Sequence, residues 1–257
     1  MRSLLLLFFL LLPNLSEAAV VHVQQCGDAS EFGFGSSNSD TCSFPGGTAA
    51  GDTLVVACQW GDTNLTVTAT DSNGDHFTEA PNAHYMDSTN EGVTVLYYPN
   101  VPAGVTSVTC NLSASVTFVA MTAHEYSGLI NGNVLDTAAT SHGTLGGGSN
   151  NGIDGPMTSS TNGELIYAVF IDDTSLTGFT ATGGTNSLPY TLRENISAAG
   201  DMADEDAVQT SRGPVTSSMT DNLSGDTYVM SMVAFRSSIG TLAKFGTARI
   251  NNGKFGY

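Results

Sequence analysis

The chain has 257 residues, 24 acids against 7 bases, and a formal net charge of -17. So few cations exclude a protein that neutralises a row of nucleic-acid phosphates, and they disfavour docking on anionic membranes. Charged residues are only 12% of the chain, and Gly, Ser, Thr and Asn fill the spaces between apolar runs, a composition suited to sheet surfaces and turns.

Residues 1–18 read as a signal peptide. Arg2 gives the positive start, Leu4 to Leu12 the apolar centre, and Pro13 to Ala18 a polar, small-residue exit. That apolar run is shorter than the about 20 residues a membrane span needs. The mature chain is therefore expected to be secreted or held at the cell surface, with no membrane span. Strand-like runs follow at Val20–Gln25, Thr53–Trp60, Leu65–Thr70, His76–Glu79, Val93–Tyr98, Val105–Leu112 and Val116–Tyr126. The second half continues with Val134–Ala139, Glu164–Ile171, Gly178–Thr182, Tyr190–Ile196, Val208–Ser211, Val215–Met219 and Asp226–Arg236. Mature prolines fall between these runs or at their edges, as sheet strands require. No stretch carries a capped 3.6-residue period. "ELIYAVFID" is apolar on both faces and suits a central strand, whereas "LTVTAT" alternates and suits a half-exposed one. The expectation is an all-β, two-sheet, jelly-roll-like sandwich over residues 19–238, followed by a basic extended tail at 239–257.

The four cysteines are Cys26, Cys42, Cys58 and Cys110. An even count in an exported chain suggests two disulfides, with three pairings formally open. Cys26–Cys42 is favoured, closing a Gly/Ser-rich loop, and contributes about 3 kcal/mol in the chain-entropy model. That leaves Cys58–Cys110. Cys58 shares a strand face with Leu54 and Val56, and Cys110 shares one with Val108 and Leu112, so both point to a core.

"GDTLVVACQWGDT", "TATDSNGDHFTEA", "VAMTAHEYSGL", "NGELIYAVF" and "YVMSMVAFR" occur in an order that resembles a group of exported bacterial β-sandwich proteins with an "EYSGL" strand end at mid-domain. The resemblance runs from Val20 to Arg236. It implies the fold and secretion, and no activity.

Candidate chemistry is sparse. His124-Glu125 lacks the second histidine of a zinc-protease helix and lies in a strand context, which favours a structural role. "DSNGD" reads as a hairpin turn rather than an ion loop. The acidic run Asp201, Asp204, Glu205 and Asp206 is the candidate calcium loop, and no cofactor other than calcium is expected. Neither a GxSxG elbow nor a phosphate loop occurs, so no catalytic residue is assigned and an enzyme is not expected. Trp60, with Tyr85 and Tyr97, is the candidate platform for a glycan partner, although a core plug suits Trp60 better.

Gly240–Tyr257 contains Lys244, Arg249 and Lys254 and no acid. Leu242, Phe245, Ile250, Phe255 and Tyr257 give it apolar surface to bury. One reading is a loose terminus; another is a fold-back along its own body; a third is strand addition to a second copy of the chain. The sequence thus points to an extracellular structural or adhesive protein that assembles with itself through this tail. The alternative is a secreted carbohydrate-binding module.

Overall fold

The computed structural model describes residues 19–31, 37–87, 91–145, 151–172, 180–181, 188–196, 202–220, 225 and 227–238. The signal-peptide reading at 1–18 and the tail at 239–257 lie outside them. Long apolar runs form the central strands: β3 (Thr53–Trp60) and β12 (Glu164–Asp172) are buried along their whole length because they are covered on both faces. β4 (Val67–Asp71) alternates between buried and exposed positions, as its sequence predicts.

Four antiparallel sheets stack in layers. Outer sheet I joins β2 (Ser37–Ser43), β8 (Ser107–Val116) and β4 in the order β2-β8-β4. Inner sheet II runs β1 (Val21–Glu31), β9 (Phe118–Ser127), β3, β7 (Gly92–Tyr98) and β5 (Thr78–Glu79), with β6 (Tyr85–Met86) also on β7. Inner sheet III runs β10 (Leu135–Thr144), β17 (Thr227–Phe235), β12, β15 (Met202–Gln209) and β14 (Thr191–Ile196). Outer sheet IV joins β11 (Asn151–Ser159), β16 (Gly213–Thr220) and β13 (Thr180–Ala181).

Leu54, Val56, Cys58 and Trp60 of β3 pack on Val108, Cys110 and Leu112 of β8, filling the space between sheets I and II. Ile166 and Ala168 of β12 pack with Val215 of β16 between sheets III and IV. The opposite faces of the inner sheets meet in a third core, where Val55, Val95, Tyr126, Tyr167, Val169, Val233 and Phe235 lie together.

The sandwich expectation stands, and the chain builds it twice. In each half the first strand lies beside the last in the inner sheet, and the second beside the penultimate in the outer sheet, which is jelly-roll order. Replacing β1-β9-β3-β7 by β10-β17-β12-β15, and β2-β8-β4 by β11-β16-β13, maps one half on the other. The register agrees to the residue. β1 has a bulge between His22, opposite Tyr126, and Gln24; β10 has one between Leu135, opposite Phe235, and Thr137. His22 therefore corresponds to Leu135, Tyr126 to Phe235 and His124 to Val233. Through their pairing with β3 and β12, Val95 and Tyr97 correspond to Asp204 and Asp206.

Both disulfides lie in the first half, in the expected pairing. Cys26–Cys42 joins β1 to β2, with Cα atoms 5.6 Å apart, and Cys58–Cys110 joins β3 to β8 at 6.2 Å. Each ties sheet II to sheet I. In the second half Phe170 replaces Cys58 and stacks on Tyr228, with ring centroids 5.6 Å apart. The Phe170 ring lies against Gly152, where an added Cβ would come within 2.3 Å of it.

Three strands lie wholly or partly outside the expected runs. Ser37–Ser43 pairs with β8, so the Cys26–Cys42 bridge links two strands rather than closing a free loop. Asn151 begins β11, and Pro156 sits inside that edge strand at a register shift, where no ladder donor is required. The acidic run at 202–209 is β15, paired on both sides.

Candidate functional site

Strand alternation places Thr122, His124 and Tyr126 of β9 on the face toward sheet III, and Asp204 and Asp206 of β15 on the face toward sheet II. They meet in the interface between the sandwiches. His124 Nε2 lies 2.7 Å from Asp204 Oδ2, with both side chains fully buried. The same oxygen accepts from the Tyr167 hydroxyl at 3.1 Å, and Oδ1 accepts from the Glu194 amide at 3.1 Å. Thr122 and Tyr167 hydroxyls are 3.1 Å apart. On its other side, His124 Nδ1 faces His22 Nε2 at 3.2 Å.

A second carboxylate completes the row. Asp206 accepts from Tyr126 Oη at 2.8 Å and from Arg193 through Nε and Nη2, both at 2.9 Å, the two-pronged geometry suited to arginine. Gln25 reaches across to Glu194 Oε1 at 2.8 Å and to the Arg193 carbonyl.

Burial alone would push the Asp204 carboxyl up, but the His124 charge and the hydrogen bonds from His124, Thr122 and the Glu194 amide outweigh it and hold the group below the ordinary carboxylate range. An ionised Asp204 only accepts, so His124 Nε2 carries the proton between them. Burial, then His124 and Arg193, press the His22 imidazole down to about 4. Burial raises Tyr126 and Tyr167 well above the usual phenol, and the two aspartates raise them further, so both stay hydroxyl donors.

The repeat supplies an internal comparison. Where the first crossing has His22, His124 and Asp204, the second has Leu135, Val233 and Val95. Where the first has Tyr126 on Asp206, the second has Phe235 edge-on to Tyr97, centroids 5.5 Å apart. Ser231, the counterpart of Thr122, bonds the Ala83 carbonyl at 3.0 Å. The jelly-roll pair therefore closes with apolar residues at these positions. The charged version is an addition to the fold.

Glu125, on the opposite face of β9, serves a different contact. It accepts from Gln24 Nε2 at 2.6 Å and the Ala49 amide at 2.7 Å, pinning the segment before β3. Burial, a hydrogen bond to Glu125 and the Glu125 charge raise the Asp52 carboxyl to about 6. In the second sandwich Glu205 accepts from Ser217 Oγ at 2.6 Å, and burial raises it to about 7; buried Asp154, paired across the ladder with Ser217, is likewise raised to about 7.

The candidate calcium loop is corrected. Asp204, Glu205 and Asp206 lie in β15, not a loop, and alternation sends Glu205 to sheet IV while the two aspartates face sheet II; Asp201 lies outside the described residues. The aspartates serve His124, Tyr167, Tyr126 and Arg193. The glycan platform is also corrected. Trp60 is fully buried between sheets I and II, donating Nε1 to the Thr63 carbonyl at 2.8 Å, whereas Tyr97 faces the other side of sheet II. Tyr85 is half-buried and stacks on His142 at 4.6 Å. The tail residues Leu242, Lys244, Phe245, Arg249, Ile250, Lys254, Phe255 and Tyr257 lie outside the described residues.

Sequence reasoning missed His22 and Arg193, and separated His124 from Asp204. Reading "ADEDAV" as an alternating strand would have paired Asp204 with Asp206 on one face. A comparison of the chain with protein-family models and with curated proteins yields no match.

Proposed function

We propose that this protein is an extracellular or cell-surface structural protein with an adhesive role, whose body is a paired jelly-roll slab and whose basic tail adds to a second copy. Two disulfides indicate an oxidising, extracellular-type environment, and export through residues 1–18 accords with them. One observation carries the reading: the side chains with the richest chemistry, His124, Asp204, Asp206, Tyr126 and Tyr167, are buried and engaged with one another across the joint between sandwiches. They hold two rigid units in a fixed orientation, as a load-bearing or display module needs.

The tail supplies the assembly step. It carries three cations and apolar side chains opposite a strongly acidic body, and exposed sheet edges are ready acceptors for an added strand. The test compares full-length mature protein with a form ending at residue 239, by sedimentation and electron microscopy at low and high salt. Assembly that depends on the tail and weakens with salt supports the proposal. A full-length protein that stays monomeric at high concentration and low salt rejects it.

A further inference from the structure

We propose that His22 and His124 form a binding site for a zinc-type divalent ion at the rim of the joint, with solvent or a group from a partner filling the remaining coordination positions. The site goes beyond the structural role above and stands or falls separately from it.

His22 Nε2 and His124 Nδ1 are 3.2 Å apart, reached from different strands. Two imidazole nitrogens bound at about 2.0–2.1 Å to one tetrahedral ion lie roughly 3.3–3.4 Å from each other. The pair is therefore spaced to take an ion after a small rotation of either ring. The strand frame already brings them together: the bulge after His22 sets its position on β1, and β9 presents His124 from the neighbouring strand.

The second argument is the carboxylate behind His124. Asp204 holds His124 Nε2 at 2.7 Å, and is itself fixed by Tyr167 and the Glu194 amide. A carboxylate on the far nitrogen fixes the tautomer and directs the other nitrogen to a metal, and it raises the basicity of that nitrogen. Arg193 is committed to Asp206 by two bonds, so it does not compete with His124 for Asp204.

Third, the other crossing shows that the fold does not require this polarity. Leu135, Val233 and Val95 hold the equivalent positions in the interface core. Beside the Tyr126–Asp206 pair, the first crossing differs from the second by two imidazoles and the carboxylate that orients one of them.

Among the described residues, no cluster of three or more His, Cys, Asp or Glu side chains is arranged to hold a metal. The pair offers two protein nitrogens, fewer than the three or four of ordinary zinc centres, so solvent or a partner's group would complete the tetrahedron. His22 is half-buried on an edge strand, which leaves an approach from solvent.

The experiment titrates zinc(II), and cobalt(II) as its coloured surrogate, into tag-free mature protein, with His22→Gln, His124→Gln, Asp204→Asn and, as controls, His76→Gln and His84→Gln. One equivalent should bind and give the visible spectrum of nitrogen-ligated cobalt. His22→Gln and His124→Gln should abolish this, Asp204→Asn should weaken it about 10–100-fold, and both control variants should match the parent. His22 lies at the rim, so its variant reports even if His124→Gln disturbs folding. Absence of saturable binding at neutral pH overturns the proposal. So does binding that survives His22→Gln, or binding lost with His84→Gln instead.

Discussion

His124 and Val233 occupy the same position in two copies of one strand pattern, yet His124 is bonded to a buried carboxylate and Val233 lies in apolar core. The pair shows how a repeated fold can carry chemistry on one side only. It also indicates which substitutions the joint will accept.

His124→Val alone leaves Asp204 buried without its main partner, and should destabilise the protein by about 3–5 kcal/mol. The double change His124→Val, Asp204→Val copies the Val233 and Val95 crossing and should recover most of that loss. Urea unfolding of the parent, both single variants and the double variant gives the coupling. Single losses that merely add in the double variant would contradict the assigned pairing.

Removing Cys58–Cys110 by paired Cys→Ala changes should cost about 4 kcal/mol, given the sequence separation of 52. Removing Cys26–Cys42, with a separation of 16, should cost about 3 kcal/mol. Hydrogen exchange should place the loosening in sheets I and II. Equal loss of protection in sheets III and IV would mean that the sandwiches unfold as one unit.

Stability should fall as pH rises from about 4 to about 7, offset in part by the His22 imidazole, which is pressed down to about 4 and acts with the opposite sign. Glu205 and Asp154 are raised to about 7 by burial, so the native state holds their protons where the unfolded chain, with ordinary carboxyls, has released them. Their contribution is complete below the unfolded carboxyl range and is lost as pH passes through about 7. Asp204 is shifted the opposite way and acts at lower pH. Urea midpoints across this range, repeated on Glu205→Gln and Asp154→Asn, check the assignment: the variants should flatten the slope. A flat parent profile would refute it.

Gly152→Ala should destabilise the second sandwich by about 1–3 kcal/mol, because its Cβ would meet the Phe170 ring at 2.3 Å. Pairing it with Phe170→Leu should restore part of the loss, measured as the thermal midpoint.

The central strands were legible because β3 and β12 are unbroken apolar runs, and the disulfide pairing was legible because Cys58 and Cys110 each alternate with aliphatic residues. β2, β11 and β15 were not. "SNSDTCS", "NGIDGPMTS" and "MADEDAVQ" have turn-like or acidic composition, and they are strands because partners on the sheet satisfy their backbones. The repeat was hidden for a related reason. What the halves share is pairing order and bulge position, while the side chains at matching points, such as His22 and Leu135, differ in kind. The joint was illegible because His22 and His124 meet through the long-range pairing of β1 with β9, and Asp204 joins them only by sheet stacking.

Placing both covalent staples in the first jelly roll makes the halves unequal under tension. Pulled at its ends, the polypeptide would meet a sulfur–sulfur stop within the first sandwich, since Cys26–Cys42 and Cys58–Cys110 bar the enclosed segments from stretching out. The second sandwich contains no such stop and can lengthen fully. Once unfolded, the two halves would therefore differ in reach, the first held short by its enclosed loops and the second free to extend.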